Sequence, residues 1–265
     1  MKFTMEFPAV PAARPGTSLS PSASGALPDS FPAPAGGVGA ACQVRTLGLM
    51  DYQPVWQAMQ DYTAARTAQS ADELWVVEHP AVYTVGLAGR EAHYPKGASR
   101  IPVVRIDRGG QITYHGPGQV VVYALVDLVR RGIKVREMVC LLEQAAIDEL
   151  AAHGITGLRR AGAPGVYVEG AKIAALGLKV KRQGCYHGIS LNVDMDLAPF
   201  DAIDPCGYPG LQVTSLAQLG VAARPDAVAQ SLAGRIATAL QKAPGAQAGT
   251  ACLGNASPSP LIPAV

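Results

Sequence analysis

Apolar residues recur along this chain with two periods, and the switches between them mark out its elements. After Asp51, the residues Tyr52, Val55, Trp56, Met59 and Tyr62 fall three to four apart. That spacing predicts an amphipathic helix running to about residue 68, with Asp51 as its cap. Residues 74–78 and 81–85 then read as short strands, and 103–106, 111–114 and 119–125 as strands joined by glycine turns. A second helix is expected over about 136 to 153, with Val135, Met138, Val139, Leu142, Ala146 and Leu150 on one face and Gly154 ending it. From 166 to 193 three more strands follow, broken at Glu169-Gly170 and Gln183-Gly184. The last helix spans about 225 to 241, with Pro225 in its first turn and Val228, Leu232, Ile236 and Leu240 inward. Strands in runs with helices between them, without strict alternation, predict an α+β domain on a mixed β-sheet with flanking helices.

The pattern stops at both ends. Residues 1–40 hold 7 Pro, 5 Gly, 8 Ala and 5 Ser, leaving too few large apolar groups to offset the entropy of ordering, so this stretch reads as a disordered extension. Residues 243–265, with four prolines and no charge, read as a second loose tail. The body, 41–242, is one domain's worth of chain, able to bury roughly 70% of its unfolded surface. Prolines at 8, 11 and 15 interrupt any leader-like apolar stretch, and one arginine beside Glu6 and Asp29 argues against a mitochondrial presequence. The expected location is the cytoplasm.

Charge narrows the function classes. Twenty-two Lys and Arg against 20 Asp and Glu give +2, no field to gather nucleic acid or anionic lipid. The longest apolar run of the body, 120–126, is far below the roughly 18 residues a membrane span needs. Five cysteines without a CxxC pair exclude a disulfide scaffold or zinc ribbon and suggest a reducing compartment. Cys140 and, less clearly, Cys185 read as small buried hydrophobes.

Three segments carry candidate chemistry. Arg108-Gly-Gly-Gln-Ile-Thr-Tyr-His-Gly-Pro-Gly-Gln119 lies between apolar strands; its glycines either form tight turns or let backbone N–H groups approach a ligand, and Arg108 and His115 favour the second. It matches neither nucleotide-binding glycine pattern. Lys172 sits in Gly170-Ala-Lys-Ile-Ala-Ala-Leu-Gly177, whose neighbours cannot solvate an ammonium. Such a lysine commonly snorkels to water; otherwise it points into a cleft. Cys206, in Asp204-Pro-Cys-Gly-Tyr208, is expected on a tight exposed turn, where a neighbouring ammonium would favour the thiolate. A Lys–Cys pair is then a self-consistent base and nucleophile. His79, before Pro80, reads as structural, and His187 lacks the partners a metal ligand needs, so no metal is expected.

Taken in order, Arg108–Gln119, Ala171–Gly177, His187–Asn192 and Ile203–Gly207 resemble the lipoyl(octanoyl) transferase family over nearly the whole body, about 45 to 240. The resemblance implies a biotin/lipoate protein ligase-like (class II synthetase-like) fold. It implies transfer of an octanoyl group from octanoyl-acyl carrier protein to a lysine of a lipoyl domain, on 2-oxoacid dehydrogenase E2 subunits or the glycine-cleavage H protein. Cys206 matches the family's acyl-accepting cysteine and Lys172 its paired lysine. The segments matching the acyl site are Arg108, Gly109, Gly110, Gln111, Ile112, Thr113, Tyr114 and His115, then Ala175, Leu176 and Gly177, then Gly188, Ile189 and Ser190.

An acyl group that arrives as a thioester is already activated, so no cofactor is expected. Each buried methylene contributes about 0.8 kcal/mol, so an apolar slot would favour eight carbons over six by roughly fifteenfold. Two rival readings share the residues: an ATP-dependent lipoate or biotin ligase, and a non-catalytic acyl- or carrier-binding protein.

Overall fold

The computed structural model describes residues 42–95, 99–204 and 210–242. The expected tails, 1–40 and 243–265, and Cys206 lie outside the described residues.

A seven-stranded sheet runs in the order β1 (Gln43–Leu49), β2 (Glu73–Glu78), β6 (Gln119–Asp127), β10 (Gly184–Asn192), β9 (Ala171–Lys181), β8 (Val166–Val168) and β7 (Leu158–Arg159). β1 pairs parallel with β2 and the other neighbours pair antiparallel, so the sheet is mixed, as the pattern predicts. A smaller sheet orders β4 (Val103–Arg105), β3 (Val82–Val85) and β5 (Ile112–His115).

Period-two alternation in β6 splits the core in two. Val120, Val122, Ala124 and Val126 face helices α2 (Val135–Ala152) and α4 (Pro225–Lys242), packing with Met138, Leu142, Leu232 and Ile236. Val121, Tyr123 and Leu125 face α1 (Tyr52–Ala65), packing with Val55, Met59 and Tyr62. A strand covered on both faces reads as an unbroken apolar run, which is what 119–127 is. Each fully buried Leu or Ile contributes about 1.5–3 kcal/mol, so packing rather than propensity holds these helices. A third cluster joins the small sheet to the short helix α3 (Ala198–Asp201) through Tyr83, Val85, Ile112, Tyr114, Phe200 and Ile203.

The structure departs from the pattern at exposed or short elements. β1 is an edge strand, exposed at most positions, so no hydrophobic alternation announces it. Val135, expected inward, is 44% exposed at the first position of α2; there the Glu137 carboxylate accepts the Lys134 N–H at 2.7 Å. Asp51 occupies the N-cap of α1 without a side-chain capping bond.

Candidate active site

The β9–β10 ladder brings two of the sequence motifs together. Ala175, Leu176 and Gly177 stand opposite Ser190, Ile189 and Gly188 in register. The glycine turn after β4 closes on them, with Gly109 N–H donating to Leu178 O at 3.0 Å. A Cβ on Gly177 would lie 2.9 Å from the Gly109 carbonyl oxygen, so the close approach of turn and strand needs glycine there. Arg108 is held across β3: its Nη2 donates to Thr84 O at 2.8 Å and Thr84 Oγ1 at 3.0 Å, and its Nη1 to Gly109 O at 3.0 Å.

These elements surround a cleft of about 510 Å³, counting its open mouth, a size suited to a small ligand. Twelve sequence-predicted residues line it: Arg108, Gly110, Gln111, Ile112, Thr113, His115, Ala175, Leu176, Gly177, Gly188, Ile189 and Ser190. The other two stand behind the wall. Gly109 is engaged with Leu178, and Tyr114 packs edge-on against Phe200 in the third cluster.

Lys172 does not snorkel. It is 4% exposed on β9, three residues before the cleft. Its Nζ donates to Pro164 O at 3.1 Å and lies 5.2 Å from the centre of the Tyr167 ring. Its backbone is bridged to the chain that follows the 205–209 segment: Lys172 N–H donates to Gln212 O at 2.8 Å, and Thr214 N–H to Lys172 O at 3.0 Å. Among the other cysteines, Cys185 is free and buried as expected, with burial pushing its thiol up to about 12. Cys140, expected as a packed thiol, is instead half-buried on α2 and disulfide-bonded.

Of the remaining lining residues, Tyr52, Val121 and Tyr123 come from positions the pattern assigns to a helix face or a strand, and His187 from the matching segment His187–Asn192, where the sequence offered it only as a metal ligand lacking partners. His187 adopts a left-handed backbone, φ 64°, a conformation that costs a non-glycine residue of order 1–3 kcal/mol. Its Nε2 lies 3.0 Å from Asp107 Oδ1, and Asp107 also accepts hydrogen bonds from Trp56 Nε1 at 2.9 Å and from the Tyr186 hydroxyl. Partial burial opposes ionisation of Asp107, but donation from His187, Tyr186 and Trp56 holds its carboxyl well below the usual range. An ionised Asp107 only accepts, so neutral His187 carries its proton on Nε2. Burial lowers the His187 pKa, partly offset by Asp107.

His79 fits its structural reading. Its Nδ1 lies 2.6 Å from Met50 O, and the Tyr123 hydroxyl meets Nε2 at 2.7 Å. Among the described residues no group of three His, Cys, Asp or Glu side chains could hold a metal ion.

Comparison with known proteins places this architecture. Residues 51–237 match the family model described as the lipoyl protein ligase A/B catalytic domain. The chain is 56% identical over 217 residues to the octanoyltransferase of Aromatoleum aromaticum, covering 82% of this chain and 91% of that one. It is 64% identical over 178 residues to the octanoyltransferase of Thiobacillus denitrificans, covering 67% and 81%. Its fold matches, with a TM-score of 0.60 at 14% identity, a structure from the lipoylation system of Thermoplasma acidophilum described as a bipartite lipoate protein ligase and its E2 lipoyl domain, over 76% of this chain and 84% of that one. The fold is therefore that of a known lineage, and the chain belongs to the lipoyl protein ligase A/B catalytic-domain family, among its octanoyltransferases.

Proposed function

We propose that the chain transfers an octanoyl group from the phosphopantetheine thioester of acyl carrier protein to a lysine of a lipoyl domain, with Cys206 carrying the acyl group between them. Acceptors are 2-oxoacid dehydrogenase E2 subunits and the glycine-cleavage H protein. The reaction belongs in the cytoplasm.

The observation that most supports this reading is the placement of Lys172. It is buried beside the acyl cleft, and its backbone bonds Gln212 and Thr214. The chain leaves the third cluster at Ile203 and rejoins Lys172 at Gln212, and Cys206 falls between those two points in the sequence.

The chemistry follows from the groups. The Cys206 thiolate, paired with the Lys172 ammonium, attacks the thioester carbonyl; a new S–C bond forms, the donor S–C bond breaks, and the pantetheine sulfur leaves as a thiol with the proton of that ammonium, leaving Lys172 neutral. This exchange of thioesters is nearly isoenergetic. The acceptor lysine, once deprotonated, attacks the acyl-enzyme carbonyl to give an amide, which is downhill, and Cys206 is regenerated. Neutral Lys172 is the base for that deprotonation. The Arg108–His115 turn and the paired segments Ala175–Gly177 and Gly188–Ser190 hold the acyl chain.

Incubation with octanoyl-acyl carrier protein, without ATP, should leave a hydroxylamine-labile adduct on the Cys206 peptide by mass spectrometry. Cys206→Ala should lose it, and Lys172→Arg should keep a cation but lose aminolysis. An adduct on Cys42 or Cys185 would overturn the assignment. A requirement for free octanoate plus ATP would favour the ligase reading, and full function in Cys206→Ala the non-catalytic one.

A further inference from the structure

We infer that Asn192 and Gln119, neither of which lines the cleft, are positioning residues that fix the strand register between Lys172 and residues 212–214 and link it to the cleft wall. This rests on the role proposed for Lys172.

Arg108 Nη2 donates to Thr84 Oγ1 at 3.0 Å, and the Thr84 hydroxyl lies 3.4 Å from His115 Nε2. On its other side His115 Nδ1 lies 2.7 Å from Gln119 Oε1. Gln119 Nε2 then donates to Asn192 Oδ1 at 2.9 Å, and Asn192 Nδ2 to Thr214 O at 2.9 Å. Thr214 N–H completes the line on Lys172 O at 3.0 Å.

The donor roles are forced. The Gln119 carboxamide oxygen can only accept, so His115 must carry its proton on Nδ1. Burial, with His79 nearby, pushes His115 down to about 3, so the ring is neutral and its Nε2 is an acceptor. Thr84, which accepts from Arg108, is then free to donate to it. Gln119 and Asn192 have each used oxygen and nitrogen on the same line, so neither amide can flip without breaking two bonds.

The ends of the line matter. Arg108 and His115 line the cleft, whereas Gln119 and Asn192 are buried behind it. The Asn192 backbone grips the same segment, with Leu216 N–H donating to Asn192 O at 3.1 Å. The segment 212–216 is thus held by Lys172 on one side and Asn192 on the other. Losing Asn192 Nδ2 would leave a buried carbonyl, Thr214 O, without that donor, in a place where water cannot readily replace it.

The test uses the full chain with Asn192→Asp, which keeps the shape but removes the donor, and Asn192→Leu, which removes both polar atoms without adding charge. Three quantities are measured: thermal stability, the kcat and KM of transfer from octanoyl thioester, and the pH-dependent acetylation rate of each lysine by peptide mass spectrometry. Folded variants should lose kcat by about tenfold, equivalent to one broken positioning bond, with KM for the octanoyl donor little changed because the cleft lining is intact. Lys172 acetylation should rise while the other lysines keep their wild-type rates.

Unchanged Lys172 labelling in a folded variant would overturn the inference. So would a uniform rise over all lysines, which marks general loosening. If neither Asn192 variant folds, Gln119→Leu serves, one bond earlier in the same line, with the same outcomes. Wild-type protein that transfers no octanoyl group would sink the functional reading, while the labelling arm would still report on the register.

Discussion

At the residue scale, the burial of Lys172 is the feature that most needs explaining, because a four-carbon stem ordinarily carries its ammonium to water. Here Pro164 O and the Tyr167 ring take up the charge, and Gly165 makes room for it. Gly165 has φ 137°, and a Cβ there would stand 2.7 Å from Ala174 O and 3.0 Å from Lys172 Cε. The turn is pinned from behind, since Glu143 Oε1 accepts the Gly165 N–H at 2.9 Å while Arg159 Nε holds Glu143 Oε2 at 3.1 Å. Gly165→Ala is therefore expected to lower stability by about 1–3 kcal/mol through backbone strain alone and to reduce octanoyl transfer by displacing the amine. Urea unfolding and single-turnover acylation check this; a variant that matches wild type in both would show that the glycine does not confine the lysine. Nothing in the sequence distinguished Gly165 from any other turn glycine, because its neighbours in space, not in sequence, set the constraint.

At the element scale, four pieces of the chain interlock through aromatic rings: Tyr52 of α1, His79 after β2, His115 of β5 and Tyr123 of β6. Burial pushes His79 down to about 4 and His115 to about 3. Their pKa values lie below those of an unfolded chain, so from pH about 6.5 downward the unfolded state binds more protons than the folded one. Stability should be highest above that pH and fall as pH drops toward 4, with these two rings together taking up about two protons on unfolding near pH 5 and His187, also lowered by burial, adding to the uptake. Urea unfolding measured from pH 7 to 5 tests this, and His79→Gln should remove the part of the slope that about one proton carries; a flat profile would contradict the burial argument. Most elements here were legible in the sequence: the helices from their 3.6-residue stripe, the β8–β10 run from its two polar turns. The cleft lining was legible through motif resemblance. Tyr52 and Tyr123 were not, because each sits on an element whose periodicity also explains it as core; His187 lay within the matching segment His187–Asn192 but was weighed only as a metal ligand. The edge strand β1 was hidden for the opposite reason, having too little burial to leave a pattern.

At the scale of the whole molecule, the net charge of +2 conceals a gathering of partly buried cations around one buried carboxylate. Asp72 receives Arg66 at 2.9 Å, Arg130 at 2.7 Å and Arg131, with its side chain 1% exposed. The same guanidiniums reach further: Arg66 to Leu125 O on β6, Arg130 to Ser70 O, and Arg131 to Leu240 O at the end of α4. One carboxylate thus gathers the end of α1, the central strand and the last helix, and none of these residues lines the cleft. Asp72→Asn keeps the shape but leaves three guanidiniums facing a neutral amide. Removing one partner of a buried ion cluster costs about 3–5 kcal/mol, since the charges left behind remain desolvated. The expected outcome is an unfolding free energy from urea titration lowered by that amount with the yield of acyl-enzyme per folded molecule unchanged, because the cluster holds the body together rather than shaping the site. If acylation of the folded fraction fell in step with stability, the cluster and the cleft would be one cooperative unit, and the separation argued from their positions would be wrong.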